Sequence, residues 1–244
     1  MDKIICSDNN ELGQKAGNQA ARFLKQTLQE QGQAAVILAT GASQLQTLSC
    51  LTAAPDIDWS RVTMFHLDEY LNLSPSHAAS FCKYLRENFI NKVSPLADYY
   101  LIDSSNDPHA ECSRLNRIIQ KYTIDLALIG IGENAHLAFN DPPADFTTDS
   151  PYIIVDLAQA CRQQQVNEKW FNTLAEVPRQ AISMSVRHIL KSKKLIVSIP
   201  GKRKAQAVKD TCNQPVNNKI PATILQQHPD CTLFLDRDSA AGLK

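Results

Sequence analysis

The chain has 244 residues, and its 25 lysines and arginines balance its 25 aspartates and glutamates, so the formal net charge is zero. Nucleic acids and anionic membranes attract basic proteins, so this balance argues against both as partners. The hydrophobic content of 43% and charged content of 20% argue against extensive disorder. No apolar run approaches the ~20 residues of a membrane span. The N-terminus lacks the apolar core of a secretory signal, so we expect a cytoplasmic protein.

The first half of the chain alternates helical and strand-like patterns. Residues 11–31 carry an apolar stripe at helical spacing. Residues 34–39 form a short continuous apolar run between Gly32 and Gly41, which predicts a strand buried on both faces. A second run of this kind covers residues 62–66.

The alternation continues to the C-terminus. The pattern predicts a helix over 77–91 with Ser76 as its N-cap, a helix over 107–122 and a strand over 124–129. Strands alternating with helices imply βαβ units and a mostly parallel sheet, and no linker interrupts them, so we predict one domain over 1–244. Further strands are predicted at 181–186, 195–199 and 232–235, with helices near 187–193 and 202–210.

Residues 141–178 are the least periodic part of the chain and contain four prolines and a polar run at 162–165. A long irregular insertion in an α/β domain is often a lid over the functional site. An ordinary surface loop and helix is the alternative, and the sequence leaves both open.

Seven cysteines are scattered through the chain, an odd number without a C-x-x-C pair or a local metal-ligand cluster. We therefore predict reduced, buried thiols that act as small hydrophobic side chains, and no metal site.

Ligands of open parallel sheets bind beyond the carboxyl ends of the strands, so the residues that follow each buried strand are the candidates for a site. The turn after the first buried strand contains a glycine, and the helix after it presents free N–H groups suited to a phosphate. A basic cluster at 201–204 starts a later helix, which is favourable if an anion binds there; a solvated basic turn is the alternative. The residues of the first turn are Thr40, Gly41, Ala42 and Ser43.

Two adjacent carboxylates, Asp68 and Glu69, follow the strand at 62–66. Burying them costs free energy unless they have partners or a function. They are either a capping or salt-bridged pair, or they include a general base beside a substrate.

The segment 130–142 has the richest set of reactive groups. Its two glycines allow a ligand to approach the backbone closely, although the third glycine of a dinucleotide fingerprint is missing. His136 lies between Asn134 and Asp141, which can both hydrogen-bond the imidazole and set its tautomer. A lone histidine is usually structural, but its place on a glycine-bearing loop after a buried strand, with an acid five residues on, favours an acid–base histidine.

At Leu67-Asp68-Glu69-Tyr70 and at Gly130-Ile131-Gly132 through His136-Leu137-Ala138-Phe139-Asn140-Asp141-Pro142, the chain resembles the glucosamine-6-phosphate deaminase/isomerase family. The wider group includes 6-phosphogluconolactonases. The resemblance covers nearly the whole chain and implies a modified Rossmann-like three-layer sandwich with a mostly parallel central sheet. It also implies a small-molecule phosphosugar substrate and no metal or organic cofactor. The tyrosine after Asp-Glu and the Ala-Phe-Asn-Asp-Pro sequence look like the deaminase branch.

The resemblance also implies roles for the reactive residues. Asp68 corresponds to the base that moves a proton between carbons 2 and 1 of the sugar, and His136 to the residue that opens the pyranose ring. Asp141 stands where the family usually has Glu, and Asn134 where many members have Asp. Ala135 replaces the usual glycine, which restricts the loop if that position needs a positive φ.

The same resemblance assigns the phosphate to the turn at 40–43 and to Lys204, with Lys169 in the candidate lid as a weaker candidate. Arg187 has no role beyond an anion contact. The chain lacks the longer tail of the hexameric, allosterically regulated members, so we expect a monomer or small homo-oligomer. The expected reaction is deamination of glucosamine 6-phosphate. The alternatives are a 6-phosphogluconolactonase and a non-catalytic or differently specific phosphosugar-binding relative.

Overall fold

The computed structural model describes residues 1–93 and 95–243. The strands are β1 (Asp2–Cys6), β2 (Ala34–Leu38), β3 (Val62–His66), β4 (Asp68–Tyr70), β5 (Asp98–Tyr100), β6 (Leu126–Ile129), β7 (Tyr152–Asp156), β8 (Gln180–Met184), β9 (Lys194–Ile199) and β10 (Cys231–Asp236). The α-helices are α1 (Asn9–Gln31), α2 (Leu45–Thr52), α3 (Phe81–Leu85), α4 (Pro108–Ile119), α5 (Gln159–Asn167), α6 (Val186–Ile189) and α7 (Ala205–Asn213). Short 3-10 turns lie at Ala42–Gln44, Trp59–Arg61, Lys202–Lys204 and Pro221–Gln227, and a π-turn at Arg86–Ile90.

The main sheet of the described chain has seven strands in the order β1-β10-β9-β6-β2-β3-β5, and all neighbouring pairs are parallel. Successive side chains of β2 enter opposite cores: Ala35 and Ile37 pack on one face, and Val36 and Leu38 on the other. Because side chains alternate across a strand, an entirely apolar strand needs helices on both sides of the sheet. This is the three-layer α/β sandwich that the sequence predicts.

A smaller antiparallel sheet, in the order β4-β8-β7, departs from the sequence prediction. The pattern at 181–186 was expected to add a strand to the mostly parallel sheet, but the strand Gln180–Met184 pairs with β4 and β7 instead. The segment 141–178, expected to be irregular, contains the regular elements β7 and α5. A short strand and a polar nine-residue helix give weak periodicity, so the sequence pattern did not predict β7 or α5.

Side-chain caps set the starts of several helices. Asp107 accepts a hydrogen bond from the Ala110 N–H at 2.9 Å and begins α4 close to its predicted position. The prediction of Ser76 as N-cap is wrong: the helix begins at Phe81 and is capped by Ser80. The Ser80 hydroxyl also donates to the buried Glu69 carboxylate at 3.0 Å, a tertiary contact that the local sequence does not reveal.

Helix length also bears on the membrane prediction. The longest helix of the described residues, α1, has a buried stripe and a polar, charged face. None of the helices in residues 1–93 and 95–243 combines the length and apolar character needed to cross a membrane.

Candidate active site

A cavity of about 610 Å³ opens at the carboxyl edge of the main sheet. Segments that follow four of its parallel strands line the cavity, at 39–43, 67–68, 130–132 and 200–204. This is the position in which open α/β sheets bind ligands. Helix α5 and the residues just after it form a further wall.

Most of the residues that the sequence singled out line this one cavity. Asn134 and Asp141 do not reach its surface and lie behind the imidazole of His136. The predicted residues in the lining are Thr40, Gly41, Ala42, Ser43, Asp68, His136, Lys169 and Lys204.

Two matching turns form one side of the cavity. Gly41 after β2 has φ 91°, Gly201 after β9 has φ 94°, and each begins a 3-10 turn that leads into an α-helix. Glycine adopts this left-handed region without strain, and nothing lies within 4 Å of the place where a Cβ would stand. The first N–H groups of a helical turn lack intrahelical partners, so the two turns present donors suited to an anion.

Basic side chains surround these turns. Burial lowers the pKa of the Lys204 amine, while the carboxylates of Glu168 and Glu133 act in the opposite direction. Arg203 pairs with Glu133 at 3.4 Å and also lines the cavity. An anion in the cavity would therefore replace solvent beside a partly desolvated ammonium group, where charge interactions are strong.

His136 belongs to the loop that follows β6, and its side chain lines the cavity. Its Nδ1 is 3.2 Å from Asp141 Oδ1. The prediction that Asn134 bonds the imidazole is wrong: its Nδ2 donates to Asp141 Oδ1 at 2.9 Å, and its Oδ1 accepts from the His136 backbone N–H at 3.2 Å. Ala135 between them has φ 65°, so the loop turns sharply and directs the amide towards Asp141.

Asp141 is the centre of this group of residues. Its second oxygen accepts the Ala158 N–H at 2.9 Å. Burial raises the pKa of the Asp141 carboxyl, but the neighbouring His136, the Asn134 amide and the Ala158 N–H outweigh it, and the pKa falls below its ordinary value. The carboxylate is therefore ionised beside the imidazole near neutral pH.

The close approach of the imidazole to the backbone explains one glycine of the loop. A Cβ on Gly132 would stand 2.2 Å from His136 Cε1, far inside contact distance. Gly132 does not have a positive φ, so the imidazole ring alone excludes a side chain there. Glycine at position 132 therefore leaves the space that the imidazole ring occupies.

The two carboxylates after β3 have different surroundings because adjacent strand residues face opposite sides. Glu69 accepts hydrogen bonds from the Tyr70 N–H, the Ser80 hydroxyl and the Cys82 N–H at 3.0, 3.0 and 2.8 Å. Asp68 lines the cavity, and within the described residues its carboxylate accepts no hydrogen bond. Burial, with a smaller contribution from the Glu69 charge, raises the pKa of Asp68 to about 8.

The sequence missed several lining groups. Phe81, Phe139 and Trp170 supply apolar surface, and Gln164 and Gln165 of α5 supply amides. The two glutamines lie in the polar run at 162–165, but only the tertiary structure directs them into the cavity.

The predicted anion contact of Arg187 is wrong. Arg187 is not among the residues that line the cavity. Its guanidinium instead pairs with Asp149 at 3.1 Å and donates to the Thr147 carbonyl at 3.2 Å.

These features define an α/β protein with a cavity lined by N–H donors, basic side chains and a histidine–aspartate pair at the carboxyl ends of its parallel strands. The chain belongs to the family described as glucosamine-6-phosphate isomerases/6-phosphogluconolactonase, whose sequence model matches residues 7–234. The resemblance found in the sequence motifs is therefore confirmed.

Individual relatives agree with this assignment. The chain is 32% identical to a glucosamine-6-phosphate deaminase of Lactobacillus delbrueckii subsp. bulgaricus over the full length of both, and 35% identical to one of Oenococcus oeni over 94% of each. A monomeric glucosamine-6-phosphate deaminase of known structure is 29% identical, covers 99% of this chain and 100% of its own, and superposes with a TM-score of 0.89. A 6-phosphogluconolactonase from Thermotoga maritima, 17% identical with a TM-score of 0.80 over 96% of this chain and 99% of its own, shares the fold.

The surroundings of Asp68 predict that Asp68→Asn is more stable than the wild-type protein, by an amount that grows as pH rises. Because the pKa of Asp68 is raised from 3.8 to about 8 in the folded state, the wild-type protein loses stability between about pH 4 and pH 8. The variant has no such proton to lose, so its advantage should grow to several kcal/mol, at about 1.4 kcal/mol per pKa unit. Urea unfolding of both proteins across this range measures it.

Glu69→Gln is the matched control. It should destabilise the protein by about 1–3 kcal/mol near pH 5, because its NH₂ group cannot accept the hydrogen bonds that the carboxylate accepts. A difference between Asp68→Asn and wild type that does not change with pH would contradict the raised pKa.

Proposed function

We propose that the chain is a glucosamine-6-phosphate deaminase that converts glucosamine 6-phosphate to fructose 6-phosphate and ammonium in cytoplasmic amino-sugar catabolism. The observation that carries the proposal is that the buried Asp68 carboxylate, which accepts no hydrogen bond within the described residues, and the His136 imidazole, backed by Asp141, face one cavity beside two turns with free N–H donors. The deaminases among the relatives support the choice of substrate. Residues 1–244 act as one unit, because all the groups involved surround this cavity.

In this proposal the phosphate group binds across the turn at 40–43 and the ammonium group of Lys204, with Lys169 contributing from beyond α5. These contacts lie away from the reacting carbons. Binding energy gained there can hold the open-chain sugar against the catalytic groups, which lowers the entropic part of the barrier.

Ring opening needs a group that removes a proton from the anomeric hydroxyl and returns one to the ring oxygen. His136 is suited to both transfers near neutral pH. The ionised Asp141 fixes the imidazole and stabilises its cation, and Asn134 holds Asp141 in place. Asp141 and Asn134 therefore act by positioning the imidazole of His136.

Isomerisation then needs a base at carbon 2. The Asp68 carboxylate takes that proton and the carbonyl oxygen at carbon 1 is protonated, giving an enolamine. Asp68 then returns its proton to carbon 1 as the nitrogen loses one, which gives the imine at carbon 2. The imine at carbon 2 is hydrolysed by water, which releases ammonia and leaves the ketose phosphate. A desolvated carboxylate is a stronger base than one in water, and burial supplies that property here.

The candidate lid at 141–178 fits the proposal in part. Its strand β7 is held in the small sheet, and Arg162 of α5 donates to the Val177 carbonyl at 2.9 Å. Lys169, just after α5, has φ 64° and lines the cavity. The part that closes over substrate is therefore the short segment after α5.

The direct test is an ammonia-release assay over a panel of hexosamine 6-phosphates, with hydrolysis of 6-phosphogluconolactone measured alongside. We expect ammonia from glucosamine 6-phosphate, and a rate lower by about 100- to 10,000-fold in Asp68→Asn, which lacks the base. Lactone hydrolysis without ammonia would identify a lactonase instead. Calorimetric binding of these phosphosugars without turnover would identify a non-catalytic relative.

Gly132→Ala tests the position of His136. The added methyl group must displace the imidazole, so kcat for ammonia release should fall by about 100-fold, the cost of a misplacement near 1 Å. The folded state should remain, as circular dichroism and thermal unfolding can verify.

Gly130→Ala is the comparison for this variant. Its Cβ would stand 3.1 Å from Gln44 Nε2, 3.3 Å from Ser43 Oγ and 3.5 Å from the Ser198 carbonyl oxygen, contacts that small side-chain shifts relieve, so the loss should be much smaller. Wild-type kcat in Gly132→Ala would disprove the role given to the ring position.

A further inference from the structure

A cysteine that the proposed mechanism does not use lies beside the catalytic pair. In the described part of the chain, one ligand atom each from His136, Asp141 and Cys161 lie within 4.8 Å of one another. Cys161 belongs to α5, whereas the other two residues belong to the loop after β6. Sequence spacing alone did not reveal this group, because 25 residues separate His136 from Cys161.

The three donors form a set that a borderline-soft metal ion prefers. Zn²⁺ binds imidazole nitrogen, carboxylate oxygen and thiolate sulfur at about 2.0–2.3 Å, so tetrahedral ligand atoms stand about 3.3–3.8 Å apart. The observed separations need to close by only about 1 Å to reach this geometry.

The donors lie at the cavity wall, where His136 is the residue that an entering ion would meet first. His136 lines the cavity, and its Nδ1 is buried without a hydrogen bond in the described residues, although Asp141 is 3.2 Å away. The Cys161 thiol is 2% exposed and lies behind the cavity surface. Three protein ligands leave the fourth position of a tetrahedral zinc ion for water or another small ligand.

We infer that His136, Asp141 and Cys161 form an inhibitory binding site for Zn²⁺ or a similar thiophilic divalent cation. The thiol gives up its proton to solvent when the ion binds, so no oxidant or reductant is involved. The ion occupies the imidazole and carboxylate that the proposed deaminase uses for ring opening, and inhibition therefore rests on the proposed function. It also links α5 to the catalytic loop.

The donor set predicts selectivity among cations. Mg²⁺ and Ca²⁺ bind oxygen ligands and have little affinity for thiolate, so they should not inhibit at concentrations where Zn²⁺ and Cd²⁺ do. A site made of carboxylates alone would not discriminate in this way.

Cobalt titration tests metal binding without reference to activity. Co²⁺ added to the intact chain should give the thiolate-to-cobalt charge-transfer band and the strong visible bands of tetrahedral coordination. Cys161→Ala should lack the charge-transfer band, and Cys50→Ala, which removes a half-buried thiol of α2 outside the group, should keep it. No such band in the wild type, or an unchanged band in Cys161→Ala, would overturn the inference.

Zinc titration of ammonia release tests the inhibitory consequence. The half-inhibitory Zn²⁺ concentration should rise at least tenfold in Cys161→Ala and stay at the wild-type value in Cys50→Ala. Equal zinc sensitivity of Cys161→Ala and wild type would overturn inhibition through this site. Thermal unfolding verifies that Cys161→Ala is folded, and Cys161→Ser replaces it if it is not.

The two proposals fail separately. A cobalt band that requires Cys161, in a chain that releases no ammonia, would reject the deaminase function and keep the metal site. Ammonia release with no cobalt band would keep the deaminase and reject the site.

Discussion

The burial of one carboxylate that accepts no hydrogen bond from the described residues is the constraint on which the site depends. Asp68 is 6% exposed and lies beside the second buried acid, Glu69, so its ionised form is costly. Glu69 differs from Asp68 because the Tyr70 N–H, the Ser80 hydroxyl and the Cys82 N–H all donate to its carboxylate. The Asp68 carboxyl therefore binds a proton more readily than an aspartate in water does.

The small antiparallel sheet holds that carboxylate in place. After β3 the chain leaves the parallel sheet at Leu67, whose carbonyl accepts the Met184 N–H at 2.8 Å, and β4 then pairs with β8. Backbone pairing on this side fixes which residue of the Asp-Glu pair faces the cavity, because a shift of one residue would exchange them. A loop would not determine the orientation in this way.

The sequence predicted the features that depend on local pattern. The continuous apolar runs became buried parallel strands, and the turn at 40–43 and His136 lie at the cavity because parallel strands place their carboxyl ends together. The prediction from sequence failed where contacts between residues far apart in the chain determine the structure. Ser80 caps its helix by accepting from the Lys83 N–H and also donates to the buried Glu69. Cys161 lies beside His136 only because α5 packs against the loop after β6. Neither contact leaves a periodic signal.

Asn134 and Asp141, two departures from the family motif, are joined by a hydrogen bond and can be explained together. Asn134 replaces an acidic residue of many members, and in this chain its Nδ2 is 2.9 Å from Asp141 Oδ1. A carboxylate at position 134 in this geometry would repel Asp141 and raise its pKa, whereas the amide donates a hydrogen bond and favours the ionised form. The shorter Asp141 still stands 3.2 Å from the imidazole and accepts the Ala158 N–H. The amide at position 134 therefore favours an ionised carboxylate at 141 beside the imidazole.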